Sequence, residues 1–326
     1  MMKKKLFACL LSAAMVLSLA ACGGTSETET TGSEGQTYTV GVIQQMQHVA
    51  LDAATEGFQD ALTELLGDQV KIEVLNASGE SANCSTIVGS FVSSGVDLIM
   101  ANGTTALQSA AAATTTIPIL GTSITEYGVA LGIDGFTGTT GMNVSGTSDL
   151  APLDQQAAML QEWFPDAKNV GLVYCSAEPN SLYQVETVQG YLEEMGYTCT
   201  AYSFSDSNDL SAVATNACAQ SDVLYIPTDN TAAQNSELIG NIAQSSATPI
   251  IAGEEGICSG CGVATLTISY YDIGYATGEM AYEILVNGAD PAEMEIQYAP
   301  QFTKKYNADM CDALGLTAPE GYEAIG

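Results

Sequence analysis

Two apolar runs end in acids: Asp229 in IPTDNT, and Glu254 with Glu255 in IIAGEE. A carboxylate closing a buried strand is costly unless a cation or N–H donors meet it, so these positions suit an ammonium group held by charge-assisted hydrogen bonds. Thr104 and Thr105 in NGTT, and Ser123 in LGTS, follow other apolar runs. They offer hydroxyls and helix-start N–H groups, which favour a carboxylate. Gln44, Asn180, Ser181, Thr228 and Asn230 add amides and hydroxyls, and His48, the single histidine, could stack on a ligand or donate to it. Together these types describe a pocket for a small solute bearing both charges, such as an amino acid. Each also has a plainer explanation. Thr104, Ser181 and Asp229 stand where helix N-caps fall, and capping accounts for them equally well. Glu254 and Glu255 could face solvent, and His48 could simply begin a helix. Asp149 in GTSDLAP either caps a helix near Pro152, the favoured reading, or lines the hinge. Tyr127, Tyr183 and Tyr270 are candidates to flank a ligand side chain, or to pack in the core or hinge.

Catalysis finds little support. The chain has no G-x-S-x-G, no P-loop and no zinc-type histidine pair, and one histidine leaves few options for proton transfer near neutral pH. Glu254 and Glu255 are adjacent on one strand end and point in different directions. CSGC, Cys258 to Cys261, has no second pair, so zinc is not expected and a loop disulfide or two plain thiols in a Gly-rich turn remain. No enzyme activity, metal or cofactor is expected. Charge excludes more. Beyond the first 21 residues only Lys71, Lys168, Lys304 and Lys305 oppose 38 acids, and there is no arginine. Such a surface repels nucleic acid, and a bound carboxylate must be held by N–H groups and hydroxyls rather than by a guanidinium fork.

The elements that must carry these residues alternate. YTVGVI, VKIEVLNA, VDLIMA and IPILGT read as strands, separated by helical spacing over 50–66, around Ile87 to Val92 and over 106–113. A Gly-rich passage, 128–146, precedes a second series: NVGLVYC, YTCTAYSF, DVLYIPT and TPIIAG, with helices between them. Apolar strands alternating with helices imply parallel sheets covered on both faces. Two such series predict an α/β chain of two doubly wound lobes facing a cleft. In such sheets ligands lie beyond the carboxyl ends of the strands, where the residues named above occur.

The N-terminus has its own logic. Lys3 to Lys5, then the apolar stretch 6–21, is too short to span a membrane and reads as an export signal. Leu19-Ala20-Ala21-Cys22 resembles the lipobox of bacterial lipoproteins, which implies cleavage before Cys22 and a diacylglyceryl group on its thiol. Residues 22–37 then form a polar tether. Further along, QHVALDAATEGFQDAL, NVSGTSDLAPLDQQ, NSLYQV, IPTDNTAA and GVATLTISYYDIGYATGEMAYEIL resemble, in that order, the substrate-binding lipoproteins of ABC importers similar to the tryptophan- and tyrosine-binding components. Gln47 and Val49 depart from that family's usual E-H-P-A-L-D block. The resemblance implies a type I periplasmic-binding-protein-like fold with crossover strands and an amino acid ligand, often aromatic. It also implies permease and ATPase partners and a lipid-anchored, extracytoplasmic location. Lobes are expected over 38–124 plus 268–290 and over 125–267 plus 291–326. The competing readings are the same fold holding a nucleoside, sugar or peptide, and an exported hydrolase.

Overall fold

Strands that run apolar from end to end must be roofed on both faces, and this chain does so twice. The structure, a computed structural model, describes residues 37–325; the signal, Cys22 and all but the last residue of the tether lie outside them. The first series is β1 (Tyr38–Gln44), α1 (Val49–Leu66), β2 (Val70–Asn76), α2 (Ser81–Ser94), β3 (Leu98–Asn102), α3 (Thr104–Ala113), β4 (Ile119–Ile124), α4 (Tyr127–Leu131) and β5 (Val144–Ser148). The second is α5 (Leu153–Trp163), β6 (Asn169–Cys175), α6 (Pro179–Glu194), β7 (Thr198–Phe204), α7 (Ser207–Gln220), β8 (Val223–Ile226), α8 (Asn230–Gln234), α9 (Ser236–Ser246), β9 (Ile250–Ala252), α10 (Glu255–Gly260) and β10 (Ala264–Thr267). Then come α11 (Tyr270–Asn287), β11 (Gln297–Tyr298), β12 (Thr303–Tyr306), α12 (Ala308–Leu314) and β13 (Glu323–Ala324).

The strands form two sheets, ordered β11-β5-β4-β3-β1-β2 and β13-β12-β10-β9-β8-β6-β7. All pairings are parallel except β10 with β12. The chain passes between sheets after β5, after β10 and after β11. The lobe boundaries expected from sequence need correction. β5 hydrogen-bonds to β4, so the first sheet continues well past residue 124, and β11 returns to it from within 291–326. The Gly-rich passage is therefore an excursion inside the first lobe rather than its end. Its turns mimic a linker in composition, but Tyr127 behind it donates to the carbonyls of Gly121 and Thr147 and pins β4 to β5. CSGC differs from the expected turn in place only: Cys258 lies on α10, after β9, and Cys261 is that helix's C-cap, while both are buried free thiols, one of the two states expected. Glu254 caps that helix, turning the glycines into a helical turn.

The second crossing delivers α11 to the first lobe, where it packs along α1. Phe58, Leu62, Met280, Ala281 and Ile284 form the shared core, and full burial of a Phe or Leu contributes roughly 1.5–3 kcal/mol each. Small residues allow the approach: a Cβ on Gly274 would collide with the Ala54 carbonyl, and one on Gly57 with the Tyr271 carbonyl. Both obstacles are backbone and cannot rotate away. Gly274→Ala is therefore expected to cost about 1–3 kcal/mol by forcing the helices apart, read as a lowered thermal midpoint. An unchanged midpoint would contradict this packing.

Candidate functional site

Polar side chains at the carboxyl ends of both sheets meet in one hydrogen-bonded network. It begins at the first crossing, where Asp149 follows β5, and at Tyr270, which opens α11 after the second crossing. The Tyr270 hydroxyl donates to Asp149 Oδ2 at 3.0 Å, and Thr125 also bonds to Asp149. Gln184 Nε2 lies 3.5 Å from Thr125 Oγ1, joining the lobes, and donates to the Thr228 carbonyl at 3.2 Å. Thr228 N–H returns a bond to Gln184 Oε1 at 3.1 Å. Asn180 Nδ2 donates to the same Thr228 carbonyl at 3.0 Å and lies 3.4 Å from Glu178 Oε2. Glu178 accepts from Asn230 Nδ2 at 2.7 Å, and Asn230 Oδ1 stands 3.1 Å from His48 Nε2 across the cleft.

Four buried atoms of this region find no partner in the protein: Asp149 Oδ1, Asn180 Oδ1, His48 Nδ1 and Ser123 Oγ. Buried polar groups are normally satisfied, so unused valences from both lobes in one neighbourhood describe a place for a polar guest. Ser123 adds a second sign. Its φ is 56°, in the left-handed region disfavoured for residues other than glycine, where the β4–β5 register shifts between Gly121 and Ile124. Backbone strain held by a bulge beside a cleft is common at functional sites. Beside the network opens a cleft of about 650 Å³ whose lining includes Val49, Ala50 and Tyr270 on one side and Glu254, Glu255 and Lys305 on the other. Lys305 pairs with Glu255 at 2.7 Å.

The residues singled out in the sequence take different places. His48, Ser123, Asn180, Thr228 and Asn230 belong to the network or border it. Thr104 and Thr105 begin α3, with Gly103 rather than Thr104 as its cap, and Thr105 N–H donates to Gln45 Oε1 at 2.9 Å. Ser181 is buried beside Asn180 and lies within helix α6 rather than capping it. Gln44 does not reach the site: its amide is consumed by Met46, Asp52 and Thr55, bracing β1 to α1. Asp229 and Glu254 are caps. Asp229 accepts from Cys175 N at 2.6 Å and Ala232 N at 2.8 Å; Glu254 accepts from Gly256 N and Ile257 N. Both spend both oxygens on backbone N–H groups, so the carboxylate left open to a cation is Asp149. The cap expected of Asp149 is absent, since α5 begins without any side-chain cap. Tyr127 is core. Gln184 and Glu178 escaped the sequence reading, although Gln184 stands one turn after Asn180 and so on the same helix face.

Residues 39–324 match the family model described as ABC transporter substrate binding protein. The tyrosine-binding protein of Clostridioides difficile is 32% identical over 280 residues, 85% of this chain and 81% of that protein. Among solved structures, the ABC domain in complex with L-Trp from Streptococcus pneumonia superposes with a TM-score of 0.84 at 31% identity, covering 89% of this chain and all of that one. The ligand-free, open structure of a substrate-binding protein from Clostridium difficile gives 0.68 at 33% identity, covering 89% and 99%. At nearly equal identity the ligand-bound form fits better, so the lobes here stand in a closed arrangement.

Electrostatics sharpen the site. No lysine touches the network, and burial alone pushes Asp149 up to about 6, against the pull of its bonds from Tyr270 and Thr125. Burial, with the facing Glu178 charge, raises Asp229 to about 7, and burial raises Glu254 to about 7 despite two N–H donors. A carboxyl with a raised folded pKa keeps its proton where the unfolded chain, titrating near 4, has lost it. Its stabilising contribution is complete below about pH 4 and is lost as pH climbs through 6 to 7. Ligand-free protein is therefore expected to lose thermal stability from pH 5 to pH 8, on the order of 1 kcal/mol coming from Asp149 over that window. Asp149→Asn should flatten that part of the profile and be the more stable form at pH 8. Parallel profiles for the two proteins would contradict the assignment.

Proposed function

The chain belongs to the ABC transporter substrate-binding proteins, and on that premise we propose that it captures one amino acid with an aromatic side chain between its lobes and hands it to a membrane permease. Members of this family act outside the cytoplasm, and its relatives are binding proteins rather than enzymes. One observation carries the choice of an amino acid: Asp149 is 5% exposed, Oδ1 has no partner, and no cationic side chain compensates it. A ligand ammonium supplies what is missing, as a charge-assisted hydrogen bond in a dry site. In this reading the ligand carboxylate sits near Ser123 and the start of α3, where a hydroxyl and helix N–H groups substitute for the absent arginine. The bound ligands named for the two similar proteins, tyrosine and tryptophan, support an aromatic side chain.

Purified protein should gain about 2.7 kcal/mol of stability from tyrosine or tryptophan at a hundred times the dissociation constant, visible as a raised thermal midpoint. 3-Phenylpropionate, which lacks the ammonium, should give no gain, and Asp149→Ala should abolish the response to the amino acids. Stabilisation by a nucleoside or sugar, with none from any amino acid, would sink the reading.

The same proposal includes a lipid anchor on Cys22, supported by the LAAC sequence and the polar segment after it. Among the described residues no helix is long and apolar enough to cross a membrane. Cys22→Ser should move the protein from the detergent phase to the aqueous phase on Triton X-114 partition; retention in detergent would point to another anchor.

A further inference from the structure

Building on the amino acid reading, we propose that His48 reads a hydrogen-bond donor on the ligand's side chain, so that the pocket favours aromatic amino acids carrying a phenol O–H or indole N–H over phenylalanine. The tautomer follows from its neighbours. Glu178 Oε2 accepts from Asn230 Nδ2 at 2.7 Å and from Asn230 N at 3.1 Å, while Oε1 accepts from Thr231 N at 2.9 Å and Thr231 Oγ1 at 2.8 Å. A carboxylate so surrounded by donors requires the NH₂ of Asn230, not its oxygen, on the Glu178 side. Asn230 Oδ1 therefore faces His48 Nε2 at 3.1 Å, and Nε2 must carry the hydrogen. In a neutral imidazole the other nitrogen is then a bare acceptor. Desolvation lowers the ring's pKa further than Asn230, Glu178 and Asp52 restore it, which favours the neutral form.

That acceptor, Nδ1, is shielded from solvent and has no protein donor. The ring bridges first lobe to second, so its unpaired nitrogen belongs to the gap between them. It is not needed at the helix start either, since His48 stands at the N-cap of α1 without any side-chain capping bond. The donor it awaits is not the ammonium that Asp149 takes. His48 follows β1 and Asp149 follows β5, with β4 and β3 between them in the sheet; three strand spacings are about 14 Å. Ser123, near the end of β4, and Thr104, after β3, lie in between. A single ligand touching both ends is elongated, with its ammonium at Asp149, its carboxylate mid-way and a side-chain donor at His48. Sequence alone suggested that His48 stacks or donates; the geometry makes it an acceptor.

Calorimetric titration of the full protein with tyrosine, tryptophan, phenylalanine and 4-fluorophenylalanine tests this. The fluoro compound matches tyrosine in shape and offers no donor, so an unaltered protein answers the question even if a variant folds poorly. Tyrosine and tryptophan should bind about 10- to 100-fold more tightly than the other two, the range for leaving a buried acceptor unpaired. His48→Phe should bring tyrosine and phenylalanine to similar affinity. Phenylalanine or 4-fluorophenylalanine binding as tightly as tyrosine would overturn the role of His48 while leaving the aromatic reading intact. A preference for tyrosine that survives in His48→Phe would do the same. Binding of none of the four would instead remove the amino acid reading beneath it.

Discussion

The hydrogen bond from Tyr270 to Asp149 joins two of the three segments on which the lobes turn. Asp149 begins the first passage out of the first sheet, and Tyr270 begins the helix that returns along the second. An acid placed there stands at a crossing between the sheets and, in the proposed reading, meets the ligand. Its charge is expensive in a dry interior, and Tyr270 and Thr125 cover only part of it. Whatever neutralises Asp149 acts on the segments that set the angle between the lobes. In the proposed reading capture and closure are joined through one group, without any relay across the sheets.

The absence of arginine shapes the rest. Four buried acids, Asp149, Glu178, Asp229 and Glu254, lie in the strand-end loops and helix starts with no guanidinium to balance them. The fold meets most of this cost with its own N–H groups. Asp229 and Glu254 accept from the first turns of α8 and α10, and Glu178 reaches across to the start of α8. Helix starts carry partial positive charge and free N–H donors, so three of the four acids are satisfied internally. Of the four, only Asp149 is left with an open oxygen and no helix start assigned to it, and that asymmetry supports its proposed place opposite the ligand's ammonium.

Much of this was legible in the sequence, because strand periodicity and loop chemistry are local properties. The alternation of apolar strands and helices predicted two doubly wound sheets, and the strand-end rule led to loops that do hold network residues, such as Thr228, Asn230 and Asn180. What escaped was set by pairing. Whether Val144–Ser148 closes one lobe or opens the next depends on its hydrogen bonds to β4, which composition does not reveal. Asp229 and Asp149 look alike in sequence, each a lone acid after an apolar or small-residue strand. They differ only in which N–H groups fold back onto them. Glu254 misled for the same reason: an acid costly in isolation becomes ordinary once a helix begins beneath it. The position of Gln184 one turn past Asn180 was a usable signal, but only if α6 was known to present that face to the cleft.

The closed arrangement completes the physical picture. It resembles the ligand-bound relative more than the open one, yet leaves a carboxylate oxygen, an amide oxygen, an imidazole nitrogen and a hydroxyl unpaired between the lobes. Each unpaired buried group costs about 1–3 kcal/mol, so an empty closed state carries a penalty that an open, hydrated cleft avoids. A ligand able to fill these valences binds the closed form preferentially, and only such a difference in affinity can shift the balance between forms. A solute that fits the cleft but pairs with few of these atoms gains contacts without removing the penalty. Discrimination therefore rests on how completely a ligand answers the polar groups that the closing lobes strip of water, which is why a protein lined by so many small hydroxyls and amides can still be selective.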